Sequence, residues 1–184
     1  MKQRKPLRHL AFLAICVALS LVTKRIVSPV TNLLTDMIRI PGGGAATAFS
    51  LMFLAVGTAG LHWRWGTTAA GFVQSLLALA LGMSAYQGAY ALISYTLPGL
   101  VMDIVRLVYP CRNKTYFALC CGAANTAGAF LTTLLVFRLE GIAFALWMLV
   151  ACTLGMVAGL LGQLLYGRLC KIPSVGRFLA CQEN

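Results

Sequence analysis

Six apolar stretches alternate with short polar or glycine-rich breaks along the chain. Each stretch is long enough to cross a bilayer, since a spanning helix needs roughly 20 mostly apolar residues. None has the sustained polar stripe that marks a helix lying along a water surface. The pattern therefore predicts an all-α integral membrane protein, a bundle of about six transmembrane helices at residues 8–28, 45–63, 66–84, 86–108, 115–137 and 141–168.

The breaks contain glycine, proline or clustered charge, which are typical turn signals. The longest break runs from Ser28 to Gly44, is polar in places and ends in three glycines. Because long ordered loops in compact proteins usually carry function, we expect this break to be functional.

Composition supports a membrane protein, because 60% of the 184 residues are hydrophobic and only 10% are charged. So little polar surface excludes a water-soluble globule of this size. Six spans use about 120 residues at roughly 20 each, which leaves no room for a separate catalytic domain. We therefore predict a single six-helix transmembrane domain over residues 1–184.

The basic N-terminus followed by an apolar run from Leu10 to Thr23 also fits a secretory signal peptide. We favour a first membrane span, because no clear small-x-small cleavage site precedes a polar region. Lys24 and Arg25, which follow the run, are expected at the outer interface with their stems along the helix.

Positive charge orients the bundle. With the N-terminus inside, four cations fall outside, at Lys24, Arg25, Arg39 and Arg138. Eleven fall on the cytoplasmic side, as the positive-inside rule expects, so both termini are predicted in the cytoplasm. These eleven are Lys2, Arg4, Lys5, Arg8, Arg64, Arg106, Arg112, Lys114, Arg168, Lys171 and Arg177. The net charge of +11 is thus explained without nucleic acid.

The chain offers no constellation for catalysis, so we predict that it is not an enzyme and has no catalytic residue, metal site or cofactor. Only one acid, Asp103, approaches a span interior, and its spacing from Arg106 favours an interfacial ion pair. No phosphate-binding loop is present, so the chain does not hydrolyse ATP itself.

Adjacent Cys120 and Cys121 point about 100° apart on a helix and are interpreted as packing residues. No cysteine lies in a predicted outer loop, so no extracellular disulfide framework is expected.

Small residues recur at helical spacing, which permits close helix packing. The pairs are Ala14 and Ala18, Ala55 and Ala59, Ala85 and Ala89, Ala123 and Ala127, and Gly155 and Gly159.

Over nearly its whole length the chain resembles the substrate-binding S components of energy-coupling factor (ECF) vitamin transporters. The resemblance is carried by the basic N-terminus, the helix LAFLAICVALSLV, the segment RIPGGGAATAFSLMFLAVGTAGL after the first outer loop, and YALISYTLPGLVMDIVRL. It implies a multi-pass protein of a prokaryotic plasma membrane that binds a vitamin or related micronutrient from outside. A transmembrane coupling subunit and two ATPase subunits would supply the energy. The alanine face of the first helix, at Ala11, Ala14 and Ala18, would contact the coupling subunit.

The resemblance places the ligand at the first outer loop and the outer halves of the last three helices. Suitable side chains in that region are Asp36, Arg39, Gln87, Tyr90, Ser94, Asn125 and Trp147. Their aromatic, amide and hydroxyl groups favour a small, largely uncharged, ring-containing ligand.

Several of these residues also have a purely structural interpretation. Asn125 either contacts the ligand or forms a hydrogen bond between helices. Gln74 is interpreted as forming such a bond between helices. Tyr90 and Trp147 also fit an interfacial aromatic belt.

Two other classes of function stay open. One is a stand-alone small-solute carrier or channel without ATPase partners. The other is a membrane enzyme or assembly factor, for which no catalytic residues are found. The sequence does not identify the vitamin.

Overall fold

The computed structural model describes residues 4–36, 43–59, 65–82, 90–109, 114–137 and 141–172. Across these ranges the chain is helical and contains no β-strand. The six helices are α1 (Arg4–Asp36), α2 (Gly43–Ala59), α3 (Gly66–Ala80), α4 (Tyr90–Val108), α5 (Lys114–Thr132) and α6 (Gly141–Cys170). A π-helical turn, Thr133–Phe137, extends α5. The predicted all-helical fold of six helices is confirmed.

Four segments are long and apolar enough to cross a membrane: Leu10–Thr31 of α1, α4, Lys114–Leu135 of α5 with its extension, and α6. The other two helices are apolar but shorter, with 17 residues in α2 and 15 in α3. A helix of 15 residues is about 22 Å long, less than the roughly 30 Å hydrocarbon core. The structure therefore supports a membrane protein with four candidate spans.

Helix α1 is longer than the sequence predicted, because it continues through Pro29 to Asp36. The prediction of a loop beginning at Ser28 was wrong for residues 28–36, and residues 37–42 lie outside the described ranges. Proline removes a helical donor but is tolerated in long membrane helices where other groups satisfy the backbone. The carbonyl left without a helical donor by Pro29 is that of Arg25. The Thr31 hydroxyl donates to two other carbonyl oxygens, those of Val27 and Ser28, both at 3.0 Å.

The bundle is assembled from three helical hairpins. Sequence neighbours pack most extensively, α1 on α2, α3 on α4 and α5 on α6. The third hairpin lies between the others, since α2 packs on α5 and α6 while α4 packs on α5. Helix α3 touches α1 and α2 only lightly. The side of the molecule where α1 and α2 meet α3 and α4 is therefore the most sparsely packed, and we call it the α1–α3/α4 seam.

Glycines allow the closest helix contacts, as the small-residue spacing predicts for Gly155 and Gly159. A Cβ atom at Gly155 would lie 2.7 Å from the Cys121 carbonyl oxygen and 2.8 Å from the Gly122 Cα, so α5 and α6 meet backbone to backbone there. Gly71 of α3 meets the backbone of α4 in the same way. Such approach maximises van der Waals contact where lipid offers no hydrophobic driving force.

The cysteines have two different roles. The Cys120 thiol approaches the Met102 carbonyl of α4 at 3.8 Å, and the Cys121 thiol approaches the Leu51 carbonyl of α2 at 3.9 Å. They face different helices, which agrees with the packing interpretation. Cys170, at the end of α6, is disulfide-bonded.

Candidate functional site

Asn125, near the middle of α5, is fully buried against α6. Its Nδ2 donates to the Ala151 carbonyl oxygen at 2.7 Å, so the side chain joins two helices as one of the two interpretations expected. Its Oδ1 is buried without a hydrogen-bond partner. An unsatisfied buried acceptor costs about 1–3 kcal/mol. Because Oδ1 has no partner, it is free to accept a hydrogen bond, and a donor placed there would recover this energy.

Trp147 of α6 faces the inside of the bundle and is only 6% exposed. It packs with Ala129 of α5 and with Ala151, the residue whose carbonyl accepts from Asn125. The ring also covers the start of α2, since a Cβ atom at Gly44 would lie 2.8 Å from it. This inward position argues against an aromatic belt, and the structure brings Trp147 and Asn125 into one region.

Of the other predicted binding residues, the structure describes the side chains of Tyr90 and Ser94, and neither makes a hydrogen bond to Asn125 or Trp147. Tyr90 is the first residue of α4 and is 52% exposed, as expected for an aromatic belt. Ser94 is half-buried one turn further along α4. Arg39, Gln87 and the side chain of Asp36 lie outside the part of the chain that the structure describes.

An open groove of about 650 Å³ lies where α5 meets α6 and α4. Its lining is apolar except for Thr126 and Cys152, and the Thr126 hydroxyl donates to the Gly122 carbonyl of its own helix. A polar ligand would therefore find no free hydrogen-bond donor from Thr126. The lining residues are Leu97, Leu119, Gly122, Ala123, Thr126, Ala127, Phe130, Phe144, Met148, Cys152 and Met156.

The α1–α3/α4 seam holds a polar group that the sequence analysis did not predict as a site. Gln74 Nε2 of α3 donates to the Ser20 hydroxyl of α1 at 2.9 Å, which confirms its role between helices. One turn along α1, the Lys24 ammonium lies 3.8 Å from the centre of the Tyr95 ring on α4. Lys24 thus points into the seam, a direction that was not predicted from the sequence, and its expected depth at the outer interface stays a prediction. Its spacing of three and four residues from the buried Leu21 and Ser20 is the signal that could have revealed this orientation.

Asp103 of α4 is fully buried, and its Oδ2 accepts from the Thr68 backbone N–H at 2.8 Å and from the Thr68 hydroxyl at 2.7 Å. Thr68 lies in the first turn of α3, whose own cap residue, Trp65, makes no side-chain cap bond. The carboxylate therefore caps α3 from a neighbouring helix and complements the positive end of its dipole. The predicted ion pair with Arg106 stays a prediction, and an Arg106 guanidinium nitrogen lies 3.5 Å from the Thr58 carbonyl oxygen at the end of α2.

The alanine face of α1 is exposed. Ala11, Ala14 and Ala18 are uncovered, together with the larger Ile15 and Leu19 between them. The opposite face of the same helix, which includes Leu13, Cys16 and Val17, packs into the bundle. The small residues of this face are therefore available to a partner in the membrane.

No protein-family model matches the chain, and no curated protein or solved structure is significantly similar to it.

Proposed function

We propose that this protein is the substrate-binding membrane subunit of an ECF-type importer. It captures a vitamin or related micronutrient from outside and delivers it through a separate coupling subunit and two ATPase subunits. The observation that carries the proposal is the exposed alanine face of α1 on a six-helix bundle. Small residues at i and i+4 allow another helix to approach closely, which a docking surface in lipid requires.

The proposed ligand region is the outer part of α5 and α6, around Asn125 and Trp147. An unpartnered buried acceptor beside an inward-facing aromatic ring supports this choice. The ring offers apolar surface to a ligand, and the amide oxygen can fix the orientation of the ligand through a hydrogen bond. This combination is usual in small-molecule sites.

The proposed orientation has both termini in the cytoplasm, and the supporting observation is the eleven-to-four distribution of cations. The disulfide at Cys170 favours an outer position for the end of α6, because disulfides are uncommon in the reducing cytoplasm. The side on which α6 ends is therefore the sharpest test of the orientation.

The docking surface is tested by co-purification. The tagged protein is expressed with the coupling subunit and ATPases of its own cell, and Ala14→Trp and Ala18→Trp are compared with Leu164→Trp on an exposed face of α6. We expect the wild type and Leu164→Trp to capture the module and both alanine variants to lose it, because an indole ring prevents close helix approach.

Two results would contradict the proposal. Capture that survives both alanine substitutions would remove α1 as the docking surface. Uptake of a labelled solute by vesicles that contain this protein without ATPase partners would favour the stand-alone carrier.

A further inference from the structure

Lys24 lies on the packed side of α1. The buried stripe of that helix contains Leu13, Cys16, Val17, Ser20 and Leu21, and Lys24 continues it at the next helical position. Its neighbour Arg25 continues the exposed stripe of Leu19, Val22 and Ile26. Two adjacent cations therefore have opposite surroundings, with one facing protein and the other facing outward.

No carboxylate pairs with Lys24 among the residues that the structure describes. Its contact residue Tyr95 belongs to a buried cluster with Leu21, Ala78 and Ala91. Among the side chains that the structure describes, the only carboxylate is Asp103. That residue is eight positions from Tyr95, about 12 Å along α4 at 1.5 Å per residue, and is engaged by Thr68.

Lys24 also belongs to the candidate span Leu10–Thr31, about 10 Å along the helix from its Thr31 end. A lysine ammonium carries three N–H donors, and the face of one aromatic ring accommodates only part of this demand. The nearby Ser20 hydroxyl already accepts from Gln74. A charge at membrane depth is costly unless it is paired, and such residues usually serve binding or transport.

We propose that Lys24, seated on Tyr95 in the α1–α3/α4 seam, binds an oxyanion, a carboxylate or phosphate group. The anion accepts hydrogen bonds from the ammonium N–H groups that the Tyr95 ring leaves free. The Ser20–Gln74 hydrogen bond, one turn away, holds α1 and α3 in register. If the site serves the importer, a step that rests on the proposed function, the transported ligand carries an acidic group. This departs from the largely uncharged ligand expected from the sequence, because that expectation did not count Lys24 among the ligand contacts.

The test uses the purified full-length chain in a neutral detergent, without any partner subunit. Thermal unfolding is followed while benzoate or inorganic phosphate is added at constant ionic strength, with benzyl alcohol as the neutral counterpart of benzoate. Lys24→Gln removes the charge, and Arg25→Gln is the matched control because it removes the adjacent outward-facing charge. Phosphate stabilises many proteins through solvent exclusion, so the difference between variants is the readout.

We expect saturable stabilisation by an anion in the wild type and in Arg25→Gln. In Lys24→Gln the apparent affinity should fall about 30-fold or more, as is usual when one partner of a desolvated charge pair is removed. Lys24→Arg should recover much of it. Equal binding by the wild type and Lys24→Gln, equal losses in Lys24→Gln and Arg25→Gln, or no saturable binding of either anion to the wild type would each overturn the proposal.

A second arm identifies the source of the anion. Native mass spectrometry after incubation with phosphatidylglycerol or phosphatidylcholine vesicles measures retained lipid in the wild type and Lys24→Gln. Lys24-dependent retention of phosphatidylglycerol that excludes benzoate supports the site with a lipid headgroup as occupant. Lys24-dependent benzoate binding without such retention supports the site with a soluble ligand. Neither arm contains the coupling subunit, so loss of module capture would overturn the proposed function and leave this site standing.

Discussion

Asp103 is expected to stabilise the bundle by capping α3, and its replacement by alanine tests this directly. The substitution removes two hydrogen bonds, from the Thr68 N–H and the Thr68 hydroxyl, to one carboxylate oxygen. Hydrogen bonds to charged groups contribute about 1.5–3 kcal/mol each, or about 3–6 kcal/mol together. The other carboxylate oxygen is buried without a partner, and its removal recovers about 1–3 kcal/mol.

Taking the middle of each range, about 4.5 kcal/mol lost and about 2 kcal/mol recovered, the expected net loss of unfolding free energy is about 2.5 kcal/mol. For a chain of this size it corresponds to a fall in Tm of about 5–10 °C. The loss is measured by reversible unfolding in mixed micelles of denaturing and neutral detergent. Asp103→Asn should lose less, because its amide oxygen can still accept both bonds from Thr68, although without the negative charge.

A double-mutant cycle separates the cap from a general effect of the mutation. Thr68→Val removes only the hydroxyl, so its cost should shrink by about 1.5–3 kcal/mol when Asp103 is already alanine. Thr96→Val is the matched control, since the Thr96 hydroxyl donates to the Leu92 carbonyl of its own helix. If Asp103→Ala unfolds with wild-type free energy, or if its effect adds independently to that of Thr68→Val, the carboxylate does not cap α3.

Three further predictions concern packing, ligand and topology. Gly155→Leu should separate α5 from α6 and lower the Tm by more than Gly167→Leu, because a Cβ at Gly155 meets backbone atoms and one at Gly167 meets nothing within 4 Å. Asn125→Leu and Trp147→Ala should each weaken binding of the ligand identified in a thermal-shift screen of vitamins and their ring precursors. We expect about 5- to 150-fold for a lost buried hydrogen bond at Asn125, and unchanged affinity in both variants would place the pocket elsewhere. A reporter fused to either terminus should be active only in the cytoplasm, and external activity at the C-terminus would reverse the orientation of α6.

The existence and order of the six helices could be predicted from the sequence because they depend on local hydropathy. A long apolar run must satisfy its backbone hydrogen bonds internally in lipid, and a helix does so. The ends of the helices were less predictable. Helix α1 continues through Pro29 to Asp36, although proline and polar residues after Ser28 are typical of a loop.

Part of the candidate site was also predictable. Asn125 stood out because an amide is costly in lipid, and the structure places it between α5 and α6. Its proximity to Trp147 was expected only in so far as Asn125 lies about mid-span and Trp147 in the outer half of the next helix. The inward direction of the indole ring depends on packing against Gly44, which is distant in sequence.

Only the tertiary structure decided which side chains meet across helices. In a soluble helix the polar face marks the outside, but here both the lipid-facing and the packed faces are apolar, so local patterning gives little information on orientation. Lys24 and Arg25 are adjacent cations that the sequence treats alike, yet one lies against the Tyr95 ring and the other faces outward. Asp103 likewise finds Thr68, 35 residues away, because the register of α4 against α3 sets its partner. The sequence determined the helices, and their relative rotation and register determined the chemistry between them.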